Sequence, residues 1–165
     1  MLFYLVEKLI EVKGGIVMNK VRDIMSTNVI FVSPDDNLYE VACLMRDNNV
    51  GSIPVLENNQ LKGMITDRDI VIRGVAERKP NSSAVKDIMS SRLVYGRPDM
   101  SIDEAANIMA EAQVRRLPVV ENNQLVGIVS IGDMAVREPF ADEAGRAMQE
   151  ITETHNPRVS SDLQH

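Results

Sequence analysis

One feature constrains this chain more than any other. Shifted by 64 positions, Val21–Ile70 aligns with Val85–Met134 without a gap, and 20 of the 50 positions are identical. Val21-Arg22-Asp23-Ile24-Met25-Ser26 returns as Val85-Lys86-Asp87-Ile88-Met89-Ser90, and Pro34-Asp35 returns as Pro98-Asp99. Ile53-Pro54-Val55-Leu56-Glu57-Asn58-Asn59-Gln60-Leu61 returns as Leu117-Pro118-Val119-Val120-Glu121-Asn122-Asn123-Gln124-Leu125. A unit repeated this closely folds twice by one plan. Each copy alone is marginal, because so short a chain buries too little surface. Two copies closing on each other are therefore expected.

Both copies have the same coarse layout. Val29–Val32 and Leu93–Tyr95 are short apolar runs, read as strands and ended by Ser33-Pro34-Asp35 and Arg97-Pro98-Asp99. Helices follow, with apolar stripes at Leu38, Val41, Ala42 and Met45, then at Ile102, Ala105, Ala106 and Met109. Asp35 and Asp36, then Asp103 and Glu104, sit near the helix starts, where the dipole favours acids. Two strands joined by Asn-Asn come next: Pro54–Glu57 with Leu61–Thr66, and Pro118–Glu121 with Leu125–Ser130. A second helix begins at Asp67 and again near Ile131, with Ile70, Val71 and Val75 expected to continue the core face. Each unit thus reads strand-helix-strand-strand-helix, a mixed α+β or α/β class.

The boundaries follow. Residues 18–77 form the first unit, 78–84 a polar linker containing Pro80, and 85–138 the second unit. A final helix is expected over 139–155, with Ala141, Ala144, Met148 and Ile151 on one face, before a disordered tail at 156–165. Met1–Ile10 is apolar but too short to span a bilayer, and it lacks the basic start of a signal peptide. Lys13-Gly14-Gly15 can be encoded by AAAGGAGG, a ribosome-binding sequence just before Met18, so residues 1–17 are expected to be translated leader.

Composition removes several function classes. A formal charge of −6 opposes general nucleic-acid binding, which needs basic surface against phosphates. Cys43 is the only cysteine, so an intramolecular disulfide is excluded and a reducing, cytoplasmic setting fits. His155 and His165 fall in or near the tail, which leaves no central histidine for acid–base work. Ser82-Ser83 and Ser90-Ser91 have no basic partner, and Asp67-x-Asp69 lacks the further acids and lysine of a phosphoryl acceptor. No metal site and no enzyme is expected.

The doublet resembles a tandem pair of CBS domains, a Bateman module, over roughly Val21 to Glu138. The marks are the Val-x-Asp-Ile-Met opening, the hydrophobic-Pro-Val strand, and the segments Gly63-Met64-Ile65-Thr66-Asp67-Arg68-Asp69 and Gly127-Ile128-Val129-Ser130-Ile131-Gly132-Asp133. The chain is most similar to small stand-alone members such as the hypoxic response proteins. That resemblance implies two units about a pseudo-twofold axis, two clefts between them, and pairing of whole chains through their helices into a homodimer. It also implies binding of an adenine nucleotide (AMP, ADP, ATP or another adenosyl ligand), with no cofactor required.

Candidate ligand-binding residues follow from the resemblance and from chemistry. A hydroxyl at a strand end before a helix start offers donors to an anion, and a carboxylate one turn on accepts from ribose hydroxyls. Thr66 with Asp69 is expected to form one site and Ser130 with Asp133 the other; Arg68 is a phosphate partner that Gly132 replaces in the second copy. Both pairs are equally readable as helix caps with first-turn acids. Adenine would lie against Val29, Ile30, Ile53 and Pro54, or against Leu93, Val94, Leu117 and Pro118, its edge bonded to strand backbone. Arg115-Arg116 stands where the first copy has Gly51-Ser52, favouring phosphate recognition in one cleft or, alternatively, pairing with Asp47 or Glu111. The expected function is a nucleotide-sensing regulatory module that signals to an effector protein. The alternative is a ligand-independent interaction module with vestigial clefts.

Overall fold

The structure is a computed structural model that describes residues 20–135 and 141–153. Each repeat is built on one antiparallel hairpin: β1 (Ser52–Glu57) with β2 (Gln60–Thr66), and β3 (Arg116–Glu121) with β4 (Gln124–Ser130). The Asn-Asn turns do what the sequence asks of them. Asn58, Asn59, Asn122 and Asn123 all have φ between 50° and 64°, the left-handed conformation that a tight hairpin requires and asparagine tolerates.

The strands expected at Val29–Val32 and Leu93–Tyr95 do not form. Only Val32 pairs with Val55, and only Gly96 with Val119, each as a single parallel bridge. Val32 N donates to Pro54 O at 3.1 Å and Leu56 N to Val32 O at 2.8 Å. Gly96 N donates to Pro118 O and Val120 N to Gly96 O, both at 2.9 Å. The next rung back would need an N–H from Pro54 or Pro118, and proline has none. The ladder stops there.

Helix α1 (Val21–Ile24) opens the described chain, and α2 (Leu38–Asn48) and α4 (Ile102–Ala112) carry the long stripes. α3 (Asp67–Asp69) runs into a π-helical segment, Ile70–Val75; α5 (Ile131–Ala135) is its counterpart, and α6 (Ala141–Glu153) closes the chain. The caps of α2 and α4 are Asn37 and Ser101, each in a reciprocal box with Glu40 or Glu104. Val71 and Val75 do not continue the core face; they are 54% and 69% exposed. The wide winding turns Gly74 inward instead, where a Cβ would stand 3.3 Å from Leu38 Cδ1.

Two cores result, and they exchange parts. Val32, Val41, Ile53, Val55 and Ile65 of the first repeat pack with Val85 and Ile88, which open the second. Ile102, Met109, Leu117 and Val129 of the second pack with Val21 and Ile24, which open the first. Backbone bonds fasten each exchange: Ser26 pairs with Ile128, and Ser90 with Met64. The residue 78–84 segment is strapped down rather than loose, since Ser83 O and Asn81 O accept from Leu38 N and Tyr39 N. α6 lays Ala144, Ala147 and Ile151 on the second core, with Met148 packed beside them, and Arg146 Nη2 reaches Asp103 Oδ1 at 2.7 Å. No described helix is long and apolar enough to cross a membrane. The expected leader and tail, and both histidines, lie outside the described residues.

Glycine permits the exchange. A Cβ at Gly63 would collide with the Ser90 carbonyl, and one at Gly127 would meet Met25 Sδ at 2.7 Å and Ser26 O at 3.1 Å. Gly63→Ala is expected to cost about 1–3 kcal/mol, as overpacking against backbone does. Gly145→Ala, in open space within α6, should instead stabilise slightly. Urea denaturation of both variants checks the contrast, and equal stability of Gly63→Ala and the parent would contradict it.

Candidate functional site

β2 ends at Thr66 and β4 at Ser130, and each strand feeds directly into a helix. Asp67 N donates to Gly51 O, and Ile131 N to Arg115 O, both at 3.0 Å, which ties each helix start to the residue preceding the neighbouring strand. Thr66 Oγ1 accepts from Asp69 N and Asp69 Oδ2 accepts from Thr66 N, both at 3.0 Å. Ser130 Oγ accepts from Asp133 N at 3.1 Å, and Asp133 Oδ2 accepts from Ser130 N at 3.0 Å and from the Ser130 hydroxyl at 2.7 Å. All four candidates are thus capping-box residues before they are anything else.

What remains for a ligand differs between the copies. The second oxygen of Asp69 faces Arg73 Nε at 3.8 Å. Asp133 Oδ1 has no partner among the described residues, and the side chain is half-buried. It borders a cleft of about 200 Å³ between the repeats. Val29, Ile30 and Pro54 come to this cleft from the first repeat; Arg116, Ser130 and Asp133 come from the second.

The cleft thus brings Val29, Ile30 and Pro54 together with Ser130 and Asp133 of the other repeat. The exchange of opening segments carries Val29 and Ile30 to the far end of β4. Ser26, Asn28, Val50, Ser52 and Ile128 also line the cleft and were not singled out from the sequence. Leu93 is half exposed, Val94 packs against the second core and Pro118 is buried; none of the three lines this cleft. Ile53 and Leu117 are fully buried core residues and touch no cleft. Arg68 is exposed, bonded through its backbone N to Asp67 Oδ1 at 2.7 Å, and does not line the cleft.

Two further features bear on chemistry. With Pro54 unable to donate, the Ile30 N–H and carbonyl have no hydrogen-bond partner among the described residues, so a donor and an acceptor stand side by side at the cleft wall. Neither Arg115 nor Arg116 makes a side-chain hydrogen bond or ion pair among the described residues. The alternative partner Asp47 is taken by Arg46 at 2.8 Å. Hydrogen bonds from Arg46 and Arg97 hold the Asp47 and Asp99 carboxyls below the usual range, and neither acid lines the cleft. Among the described residues no group of three or more His, Cys, Asp or Glu could hold a metal ion. Cys43 is a free, half-buried thiol on α2.

Comparison with known proteins agrees with this architecture. The CBS domain family model matches twice, at residues 21–74 and 85–137. The CBS domain-containing protein YhcV of Bacillus subtilis is 47% identical over 135 residues, covering 82% of this chain and 96% of that one. Hypoxic response protein 1 of Mycobacterium tuberculosis is 39% identical over 124 residues, covering 74% and 87%. A crystal structure of Hypoxic Response Protein I with two coordinated zinc ions superposes with a TM-score of 0.67 at 37% identity, covering 72% of this chain and 98% of that one. The CBS domain pair of protein MJ0100, in complex with 5-methylthioadenosine and S-adenosyl-L-methionine, gives 0.65 at 25% identity, covering 75% and 97%.

Ser130→Ala removes a cap and the 2.7 Å hydroxyl–carboxylate bond, so a stability loss of about 1 kcal/mol is expected. Chemical denaturation measures it; an unchanged midpoint would mean that the box does not hold α5.

Proposed function

The chain belongs to the CBS-domain family as a tandem pair, and on that footing we propose that it is a non-catalytic sensor binding an adenosyl compound in the cleft bordered by Asp133. The observation that carries the reading is the convergence, in one groove, of an apolar wall, an unpaired backbone donor and acceptor at Ile30, a free carboxylate oxygen at Asp133 and an unpaired guanidinium at Arg116. Val29, Ile30 and Pro54 offer a planar base its apolar bed. The Ile30 peptide groups match the adjacent donor and acceptor on an adenine edge. Asp133 Oδ1 accepts from ribose hydroxyls, and Arg116 takes the phosphate. The MJ0100 pair, crystallised with two adenosyl ligands, supports the class of ligand.

Binding alters the angle between the repeats, and a partner protein in the cytoplasm reads the change. Whole chains pair through the first repeat. Tyr39, Val71, Ile72 and Val75 leave an apolar face there, each more than half exposed. In the second repeat the counterpart of Tyr39 is Asp103, an exposed acid that pairs with Arg146 of α6. One observation favours the second reading, a scaffold without ligand: the Thr66, Asp69, Ser130 and Asp133 side chains all have structural work as caps.

Thermal denaturation with AMP, ATP and methylthioadenosine separates the two readings. At 100 times its dissociation constant a ligand stabilises by about 2.7 kcal/mol. Asp133→Asn keeps a cap acceptor and is expected to weaken binding at least tenfold, whereas Asp69→Asn leaves this cleft unaffected; no shift with any adenosyl compound leaves the scaffold. For the pairing, Val75→Glu is expected to convert dimer to monomer in light scattering, and a monomeric parent protein would end that part of the proposal.

A further inference from the structure

A second cavity adjoins the cleft. It measures about 510 Å³ and lies between the start of α5 and the last helix, α6. Arg115, Arg116 and Ser130 stand on one side; Ile131, Ala135, Ala144 and Met148 make most of the rest apolar. Arg116 and Ser130 line both cavities, so those two residues form the boundary between them. The smaller space, at about 200 Å³, falls below the roughly 300–1,000 Å³ typical of drug-sized ligands and suits a nucleoside alone.

We infer that the two cavities form one bipartite site for a two-headed nucleotide: a nucleoside in the cleft, phosphates at Arg115 and Arg116, and a second planar or apolar group against α6. This rests on the adenosyl reading above and extends it. The chemistry follows from the order of the walls. A nucleoside phosphate ends at the shared boundary, where two guanidiniums without partners neutralise it. Beyond that boundary the surface turns apolar again, which a bare polyphosphate chain would not use and a second base or similar ring would. Bases and aromatic rings gain from such surface whatever their identity. The first repeat has Gly51 and Ser52 in place of the two arginines, and Gly51 is crowded, since a Cβ there would stand 3.0 Å from Asp67 Oδ2. The bipartite arrangement therefore belongs to the second repeat and to α6.

Gly145 makes the idea testable without touching the cleft. It lines the larger cavity, and a Cβ there meets nothing within 4 Å, so Gly145→Trp introduces a large ring at the cavity wall with no clash at its Cβ. Calorimetric titration would compare AMP, ADP, diadenosine tetraphosphate and NAD. In the parent protein a dinucleotide is expected to bind about tenfold or more tighter than AMP. Gly145→Trp should bring the dinucleotide down to the AMP level and leave AMP within about twofold. Arg115→Ala, at an exposed position that folding does not need, should cut dinucleotide affinity about tenfold. A dinucleotide no tighter than AMP, or a Gly145→Trp variant that changes neither ligand or both equally, overturns the bipartite site while leaving the adenosyl cleft standing. If none of the four binds, both proposals fall together.

Discussion

Two close backbone approaches hold this molecule together. Ser26 and Ile128 exchange hydrogen bonds at 2.8 and 2.9 Å, and Ser90 and Met64 at 2.9 and 3.0 Å, each beside a glycine that leaves room for the crossing chain. Because of these contacts, each repeat's opening segment belongs to the other repeat's core. The interface between the halves is therefore not a patch of surface added to two finished domains. Val21 on one side, and Val85 and Ile88 on the other, are fully buried, and Ile24 is 4% exposed.

The cleft inherits its shape from that exchange and its chemistry from a proline. Proline is usually discussed as a residue that a sheet tolerates at its edge. Here Pro54 cuts a parallel ladder after one bridge and so leaves the Ile30 peptide unpaired at the cleft. A backbone donor and acceptor otherwise consumed by the sheet are thereby released. Pro118 cuts the ladder at Gly96 in the same way, but the two copies diverge in what surrounds them: Asp69 leans on Arg73, while Asp133 keeps one oxygen free.

Much of this was legible in the residues, because the deciding signals are local. Asn-Asn between alternating runs marks both hairpins, and the 3.6-residue stripes mark α2 and α4. The strands at Val29–Val32 and Leu93–Tyr95 were misread because strand propensity says nothing of the partner's missing N–H. Val71 and Val75 were misread because a π-helical winding shifts the inward face by a residue, which periodicity at 3.6 does not anticipate. The candidate site is half legible: the residue types can be read along the chain, but not which of them share a cleft. Grouping depends on which opening segment crosses to which hairpin, and two nearly identical copies give a one-dimensional reading no way to choose. The pattern Thr-x-x-Asp and Ser-x-x-Asp also carries two meanings at once, a helix start and a nucleotide contact, and both use the same atoms.

The traded opening segments have a consequence for how such a chain came to exist. A single unpartnered copy of the repeat would leave its own core open on one side and its first turn with nowhere to pack. Two such copies on separate chains would cure both faults by swapping those turns. Tandem fusion then merely writes the swap into one polypeptide. Within one chain the copies need not stay identical, and Arg115-Arg116 against Gly51-Ser52 is such a difference, provided that each first turn still fits its neighbour's hairpin.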